Sequence, residues 1–400
     1  MASQEKSNLM SNTLYVDTEA ASALELANEG ILAPINKLLN EEEATSVYKS
    51  KTYNSQTFPF PFLLSPSGKR NEKVLKNAKV GDTLDIVSSN EKIGEIVVEE
   101  VFEIDPDERL RHIYGTDDLA FECVNATHKR LGKIAVAGEF KIYATSVKEN
   151  IKRIKEAKQR INAKHTTAIM MAANPLHRAH ERLIRTSLDK TDLVVIFVLK
   201  PYNENPLPYE IRHKSIMRFV NNYLPKNRVI VVPLDNSYIF GGHNEVILEA
   251  IVAHNFGCNR LVLGQNHSGV GMYYDHEQNR SIVDTLVGFD IEVEMISEYV
   301  YCNICSTLVS NKACPHGQHH HITYSSKTIL ELIKMGLMPP AVLVRKEISA
   351  LILAEFFKGR MKNIEALYND ILPIDGLLEK HNEEDFYIQL MKLYQTTSLT

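Results

Sequence analysis

No apolar run in this 400-residue chain approaches the roughly 20 residues that a bilayer-spanning helix needs. Residues 1–12 are polar and lack the apolar stretch of a secretory signal. A membrane span and an export leader are therefore not expected, and a cytoplasmic setting is. Long runs of Lys or Arg are also missing: 45 basic against 50 acidic residues leave a formal charge of -5. A general nucleic-acid binder draws its affinity from phosphate neutralisation. That class is disfavoured, but a local basic pocket for a small anion is not. Cysteines are few and odd in number, namely Cys123, Cys258, Cys302, Cys305 and Cys314, and their uneven spacing does not suggest a disulfide framework. No G-x-x-x-x-G-K-S/T phosphate loop occurs. No Ser, Cys or Lys is visibly paired with a base to serve as a nucleophile.

What is present is ordinary globular material, 44% apolar and 24% charged, enough to bury a core and long enough for two or three domains. Residues 1–146 read as a small β-rich domain. Helical patterns lie at 20–27 and at 41–48, the latter with Asn40 as N-cap, and alternating strands lie at 83–87, 93–98 and 132–143. A charged helical connector follows at 147–163, with Ile151, Ile154 and Ile161 spaced for one face. In 147–298 apolar runs of strand length (168–172, 193–199, 228–232, 261–263, 291–296) alternate with helical segments (178–188, 211–223, 244–254, 279–287). That alternation predicts a doubly wound α/β fold with a parallel sheet, whose ligands bind at the carboxyl ends of the strands. Residues 299–400 form a C-terminal lobe: a Cys/His loop, a helix at 327–335, Pro339-Pro340 and a helix at 349–357. Within the lobes, Cys123 and Cys258 sit in apolar contexts and are expected in the core.

After the first of these strands comes Asn174-Pro175-Leu176-His177-Arg178-Ala179-His180. Imidazoles three residues apart at a helix start share a face. The helix terminus adds free N–H groups and partial positive charge, which together suit a polyphosphate and can stabilise charge developing on phosphate oxygens. Lys200 at a strand end and Arg212 are candidate phosphate contacts, although Arg212 also reads as a helix-surface charge. The Gly-rich stretch 264–271, with Gly264, Gln265, His267 and Gly269, permits close approach to a nucleotide.

The segment 174–181 resembles the nucleotide motif of ATP sulfurylases, a family of HxGH-type nucleotidyltransferases. Collinear stretches extend the resemblance over nearly the whole chain: 30–40, Ile113-Tyr-Gly-Thr-Asp-Asp118, 255–258, 264–271, and Pro339-Pro340 with Arg345. The resemblance implies a PUA-like N-terminal domain before a Rossmann-like domain. It also implies transfer of the adenylyl group of ATP, with Mg²⁺, to sulfate, giving adenylyl sulfate and pyrophosphate. His177, His180 and Asn174 would be catalytic, and Lys200, Arg212, Gly264, Gln265, His267 and Gly269 would contact ATP. The family is commonly homo-oligomeric and often carries a fused adenylylsulfate kinase, which the missing phosphate loop makes unexpected here.

The chain departs from the family at its anion site. The family's Gln-x-Arg-Asn-Pro is here Met171-Ala172-Ala173-Asn174-Pro175, its Gly-Arg-Asp-His-Ala-Gly is 264–269 with Gln265 for Arg, and an aligned Met-Arg-Tyr-Ala-Gly-Pro is 238–243 with Ile239 for Arg. Sulfate away from water needs paired cations or several N–H donors. Three readings stay open: sulfate adenylylation with a rebuilt site, adenylyl transfer to another acceptor, and nucleotide binding without turnover.

Cys302-Asn-Ile-Cys305, Cys314-Pro-His316 and His319-His320-His321 suit a closed Cys₃His zinc site, which is structural because no coordination position stays open. Some bacterial ATP sulfurylases carry a similar insertion. His320 is the expected fourth ligand, with His319 the next candidate.

Overall fold

Helices begin in the N-terminal region where the chain supplies their caps. Helix Thr18–Asn28 follows Asp17, whose carboxylate accepts the amide of Ala20. Helix Glu41–Ser50 follows Asn40 in a reciprocal box: Asn40 Oδ1 accepts the Glu43 amide at 2.8 Å and the Glu43 carboxylate accepts the Asn40 amide at 3.1 Å. Two of the N–H groups that every helix start leaves unsatisfied are thereby paired. The computed structural model describes residues 12–200, 207–264, 285–372 and 381–394.

Strands Thr83–Ser88 and Glu91–Val97 pair antiparallel, flanked by Thr13–Tyr15 and Phe140–Ile142, in a four-stranded sheet. Leu84 and Ile86 alternate inward, as the period of two requires. A second sheet orders Leu64–Pro66, Leu131–Ala137 and Glu100–Glu103. The connector helix Ser146–Ile161 buries Val147, Ile154 and Ala157 and ends on Asn162 in the left-handed conformation at φ 51°.

The apolar runs then form one sheet: β1 (Thr166–Met171), β2 (Leu193–Lys200), β3 (Val229–Asp235), β4 (Arg260–Gly264) and β5 (Glu292–Ile296), in the order β3-β2-β1-β4-β5. The β1–β4 and β4–β5 pairs are parallel. Every residue of β1 and the first six of β2 are buried, the signature of a sheet covered on both faces. Helices α1 (Arg178–Leu188), α2 (Tyr209–Tyr223) and α3 (Glu245–Asn255) lie between successive strands along the chain, as the alternation predicts. Strand order reverses beside β1, the place where doubly wound sheets take ligands. The helix expected at 279–287 falls mostly outside the described residues, and residues 285–287 are not helical.

The chain divides into two compact units: Met1–Met170 with Leu199–Glu204 and Val232–Ile296, and Met171–Val198 with Asn205–Val231 and Ser297–Thr400. In the second unit β6 (Tyr299–Cys302) is the centre of a three-stranded antiparallel sheet with β7 (Thr307–Ser310) and β8 (His321–Thr323). Helix α4 (Ser326–Lys334) starts at Ser325, whose hydroxyl accepts the Thr328 amide, and α5 (Lys346–Phe356) buries Ile348, Leu351 and Ile352. Among the described residues no helix is long and apolar enough to cross a membrane.

Cys258 is buried, as expected, and burial pushes its thiol up to about 12. Cys123 is not: it is exposed on helix Glu122–Arg130. Successive helical residues point about 100° apart, so Val124 turns inward and its neighbour Cys123 outward.

Candidate active site

β1 ends at Met171, and the chain leaves the sheet through Ala172, Ala173 and Asn174, with Ala173 in the left-handed region at φ 48°. The turn is held from below by Arg212. Only 1% exposed, it donates from Nη1 to the Ala172 carbonyl at 2.7 Å and from Nε to the Leu207 carbonyl at 3.1 Å. Arg212 is thus no helix-surface charge. It fixes the strand end from which the site projects.

His177 caps α1 in extended conformation, and its amide points to His180 Nδ1 at 3.3 Å. The two rings stack with centroids 3.7 Å apart and planes 18° apart, and the Tyr324 ring lies 5.4 Å from that of His177. Burial drives both imidazoles toward the neutral form. His177 falls well below its ordinary range, helped by the nearby His180, and His180 falls to about 4. Because His180 Nδ1 accepts the amide, the neutral ring carries its proton on Nε2, a donor available to a ligand.

Three buried atoms around these rings have no hydrogen-bond partner among the described residues: Asn174 Oδ1, His177 Nδ1 and Glu181 Oε1. Leaving such a group unpaired costs about 1–3 kcal/mol, and three of them within residues 174–181 mark a place built to receive a polar ligand. Glu181 Oε2 is fully engaged, accepting Arg178 Nη1 at 3.2 Å and Arg345 Nε at 2.8 Å. Desolvation nevertheless raises the Glu181 carboxyl, outweighing both guanidiniums. The start of α1 is clamped further by 341–345: the Arg178 amide donates to the Leu343 carbonyl at 2.8 Å and Arg178 Nε to the Ala341 carbonyl at 3.0 Å. The Glu181 bridge and Tyr324 were not singled out in the sequence. The i,i+3 spacing of Arg178 and Glu181 was the available signal for the first.

Lys200 ends β2 with its ammonium 3.6 Å from Asp235 Oδ1 at the end of β3. Gly264 ends β4, and an added Cβ there would meet nothing within 4 Å among the described residues. Gln265, His267 and Gly269 lie outside the described residues. The described positions without the family's side chains are apolar and buried: Met171 is 3% exposed, Ala173 1% and Ile239 1%.

At the end of β6, Cys302, Cys305, Cys314 and His316 bring their ligating atoms within 4.8 Å of one another, a cluster that could hold a metal ion. His316 Nδ1 stands 3.4, 3.3 and 3.5 Å from the sulfurs of Cys302, Cys305 and Cys314, and the Cys305 and Cys314 sulfurs are 3.9 Å apart. Metal–sulfur arms of ~2.3 Å and a metal–nitrogen arm of ~2.0 Å make tetrahedral edges of about 3.8 Å between sulfurs and about 3.5 Å between sulfur and nitrogen, which these separations match. The Cys305 amide donates to the Cys302 sulfur at 3.4 Å, holding the knuckle. The fourth member is therefore His316, which corrects the expectation of His320 or His319. The His320 ring lies against that of His319, centroids 4.0 Å apart and planes tilted by 49°, and its centroid is 6.2 Å from that of His316.

A PUA-like domain model matches residues 1–145 and an ATP-sulfurylase model matches residues 145–355. The chain is 26% identical over 379 residues to a sulfate adenylyltransferase of Carboxydothermus hydrogenoformans, covering 86% of this chain and 96% of that protein. It is also 26% identical over 348 residues to one of Cenarchaeum symbiosum, covering 84% and 90%. Among solved structures it resembles a hexameric APS kinase from Thiobacillus denitrificans, with TM-score 0.62 and 17% identity. That match covers 86% of this chain but 62% of the other, so this chain spans less than two thirds of it, and the likeness is one of fold. With the matched model covering more than half of its length and the histidine pair placed at the end of β1, the chain belongs to the ATP-sulfurylase family.

Proposed function

We propose that the protein is an adenylyltransferase acting on ATP and sulfate, and that the pocket at the start of α1 holds the triphosphate. The reading rests above all on the neutral, stacked pair His177 and His180 beside the unpartnered Asn174 Oδ1 and His177 Nδ1. His180 Nε2–H donates to a phosphate oxygen, and His177 and the start of α1 supply further N–H groups. An oxygen of sulfate attacks the α-phosphorus in line. The new phosphorus–oxygen bond forms as the bond to pyrophosphate breaks, and the positioned donors stabilise the charge gathering on the leaving group. A triphosphate bound with magnesium would have part of its charge offset by the ion, leaving the His180 Nε2–H and the start of α1 as the chain's own donors. The family resemblance makes Lys200 and the 264–269 stretch candidate nucleotide contacts, and Arg212 positions the Ala172 turn rather than touching substrate.

Met171, Ala173 and Ile239 favour a second reading, transfer to a less charged acceptor, because burying a dianion without its cation partners costs roughly 2–5 kcal/mol per lost partner. A binding protein without turnover is the third. Isotope exchange between pyrophosphate and ATP separates them. Exchange that requires sulfate supports the first reading, exchange that requires another oxyanion or carboxylate from a panel supports the second, and tight ATP binding with no exchange under any acceptor leaves the third.

The Cys302, Cys305, Cys314 and His316 cluster fits zinc in a closed, structural role, with three thiolates and one imidazole. Free thiols serving a metal belong to a reducing compartment, which supports a cytoplasmic setting. Self-association is part of the proposal, on the precedent of the hexameric fold relative.

A further inference from the structure

The outer face of α1 carries a second feature that the adenylyl-transfer reading does not use. A cleft of about 420 Å³ lies between this face and the β6–β7 hairpin. Its floor is apolar and aromatic, from Tyr301, Tyr324, Leu308 and Val342, and its rim on α1 is cationic, from Arg182 and Arg185. Arg178, Arg182 and Arg185 follow one another at i, i+4 and i+7, on one helical face where like charges repel. The one carboxylate lining the cleft, Glu181, pairs through Oε2 with Arg178 and Arg345, while its Oε1 is buried without a partner among the described residues. Arg185 spends one nitrogen on the Tyr223 carbonyl at 2.8 Å. Arg182 is exposed and makes no ion pair or hydrogen bond among the described residues. Ser306 and Thr307 add hydroxyls opposite.

We propose that this cleft is a second ligand site for a small organic anion of the nucleoside monophosphate class. The planar base lies against Tyr301 and Tyr324, and the phosphate lies at Arg182 and Arg185. Three properties carry the assignment: a volume in the range of small-molecule sites, two aromatic faces that every base can stack on, and a guanidinium fork whose geometry matches phosphate. Tyr324 gives the site a route to the imidazole pair, since its ring lines the cleft and also lies 5.4 Å from His177. A ligand held there therefore touches a wall of the triphosphate pocket without occupying it.

The chain contains no tryptophan, so one introduced indole reports on this cleft alone. Val342 lines it and is 37% exposed, which leaves room for Val342→Trp in the full chain. Titration with 5′-AMP is expected to change the indole emission saturably. Adenosine and pyrophosphate, which each lack one half of the ligand, are expected to need at least tenfold higher concentration. Arg182→Glu in the same background should weaken AMP at least tenfold, and Arg182→Lys should recover part of the loss. Equilibrium dialysis of labelled AMP on the chain without the reporter should give two sites, falling to one in Arg182→Glu. A flat titration with one dialysis site overturns the proposal, as does AMP binding indifferent to Arg182→Glu or adenosine binding as tightly as AMP.

Discussion

Two histidine sites in the second unit use the same side chain for opposite ends. In the Cys/His knuckle, His316 Nδ1 faces three sulfurs at 3.3–3.5 Å, so the donors face inward on one another. In the pocket at the start of α1, His177 and His180 stack on each other, and buried polar atoms beside them are left without partners. The first arrangement is complete once a metal is present and has no position to offer a substrate. The second is incomplete by design and gains its missing hydrogen bonds only when a ligand arrives. What separates a structural imidazole from a working one is therefore the set of partners left over after folding.

The largest effect belongs to the knuckle. A closed zinc site contributes folding free energy of about 10 kcal/mol or more in small peptides, and the hairpin from β6 to β8 is small. Cys314→Ser, or a strong chelator, is expected to remove the metal and unfold 299–323. Amide exchange there would become fast while β1 and β4 stay protected. Unchanged protection in metal-free protein would make the knuckle as dispensable as an ordinary surface loop.

Next comes His177→Ala. Removing one positioned donor from a site of developing charge costs about 10²–10³-fold in turnover. The expected loss is in kcat, read from pyrophosphate–ATP exchange, with stability unchanged or improved because an unpartnered buried nitrogen disappears. Full activity in the variant would erase the distinction between the two histidine sites.

Acid should reveal the same pocket without a mutation. His180 titrates near 4 in the folded chain against an ordinary 6.5, and His177 is lowered in the same sense. Between these limits the unfolded chain takes up protons that the folded chain refuses. The unfolding free energy therefore falls as pH drops from 6.5 toward 4. At pH 5 the cost is on the order of 2 kcal/mol for one imidazole, measurable as a shift in urea midpoint that His180→Gln should reduce while His177 keeps its own share. A midpoint equally pH-dependent in that variant would show that His180 is charged in the native state.

The sequence carried the sheet because buried parallel strands leave continuous apolar runs, and 166–171, 193–200 and 260–264 are such runs. It carried the histidine pair because a spacing of three at a helix start is local information. What it did not carry depends on contacts distant along the chain. Arg212 reaches back 40 residues to the Ala172 carbonyl, and Glu181 meets Arg345 164 residues away. The fourth metal ligand is not legible in the sequence because five histidine and cysteine positions crowd 314–321, where only the backbone path decides which ring turns toward the sulfurs. The neutral state of His177 and His180 follows from burial, which no spacing records.

The smallest effect asks whether the pocket at the start of α1 is incomplete in a second way, through its lost cations. Ala173 already holds a left-handed backbone at φ 48°, so Ala173→Arg adds no new backbone strain of the kind an L-residue incurs there. It adds length and charge at a position now 1% exposed, and the guanidinium has to find an anion or remain a buried, unpaired charge. If the site is that of the family with its charge removed, Ala173→Arg, alone and with Gln265→Arg, should tighten sulfate by about tenfold, close to 1.4 kcal/mol. Calorimetry in the presence of a non-hydrolysable ATP analogue reads that change directly. A variant that loses stability while sulfate affinity stays the same would mean that the pocket has been reshaped around another acceptor, and the second functional reading would replace the first.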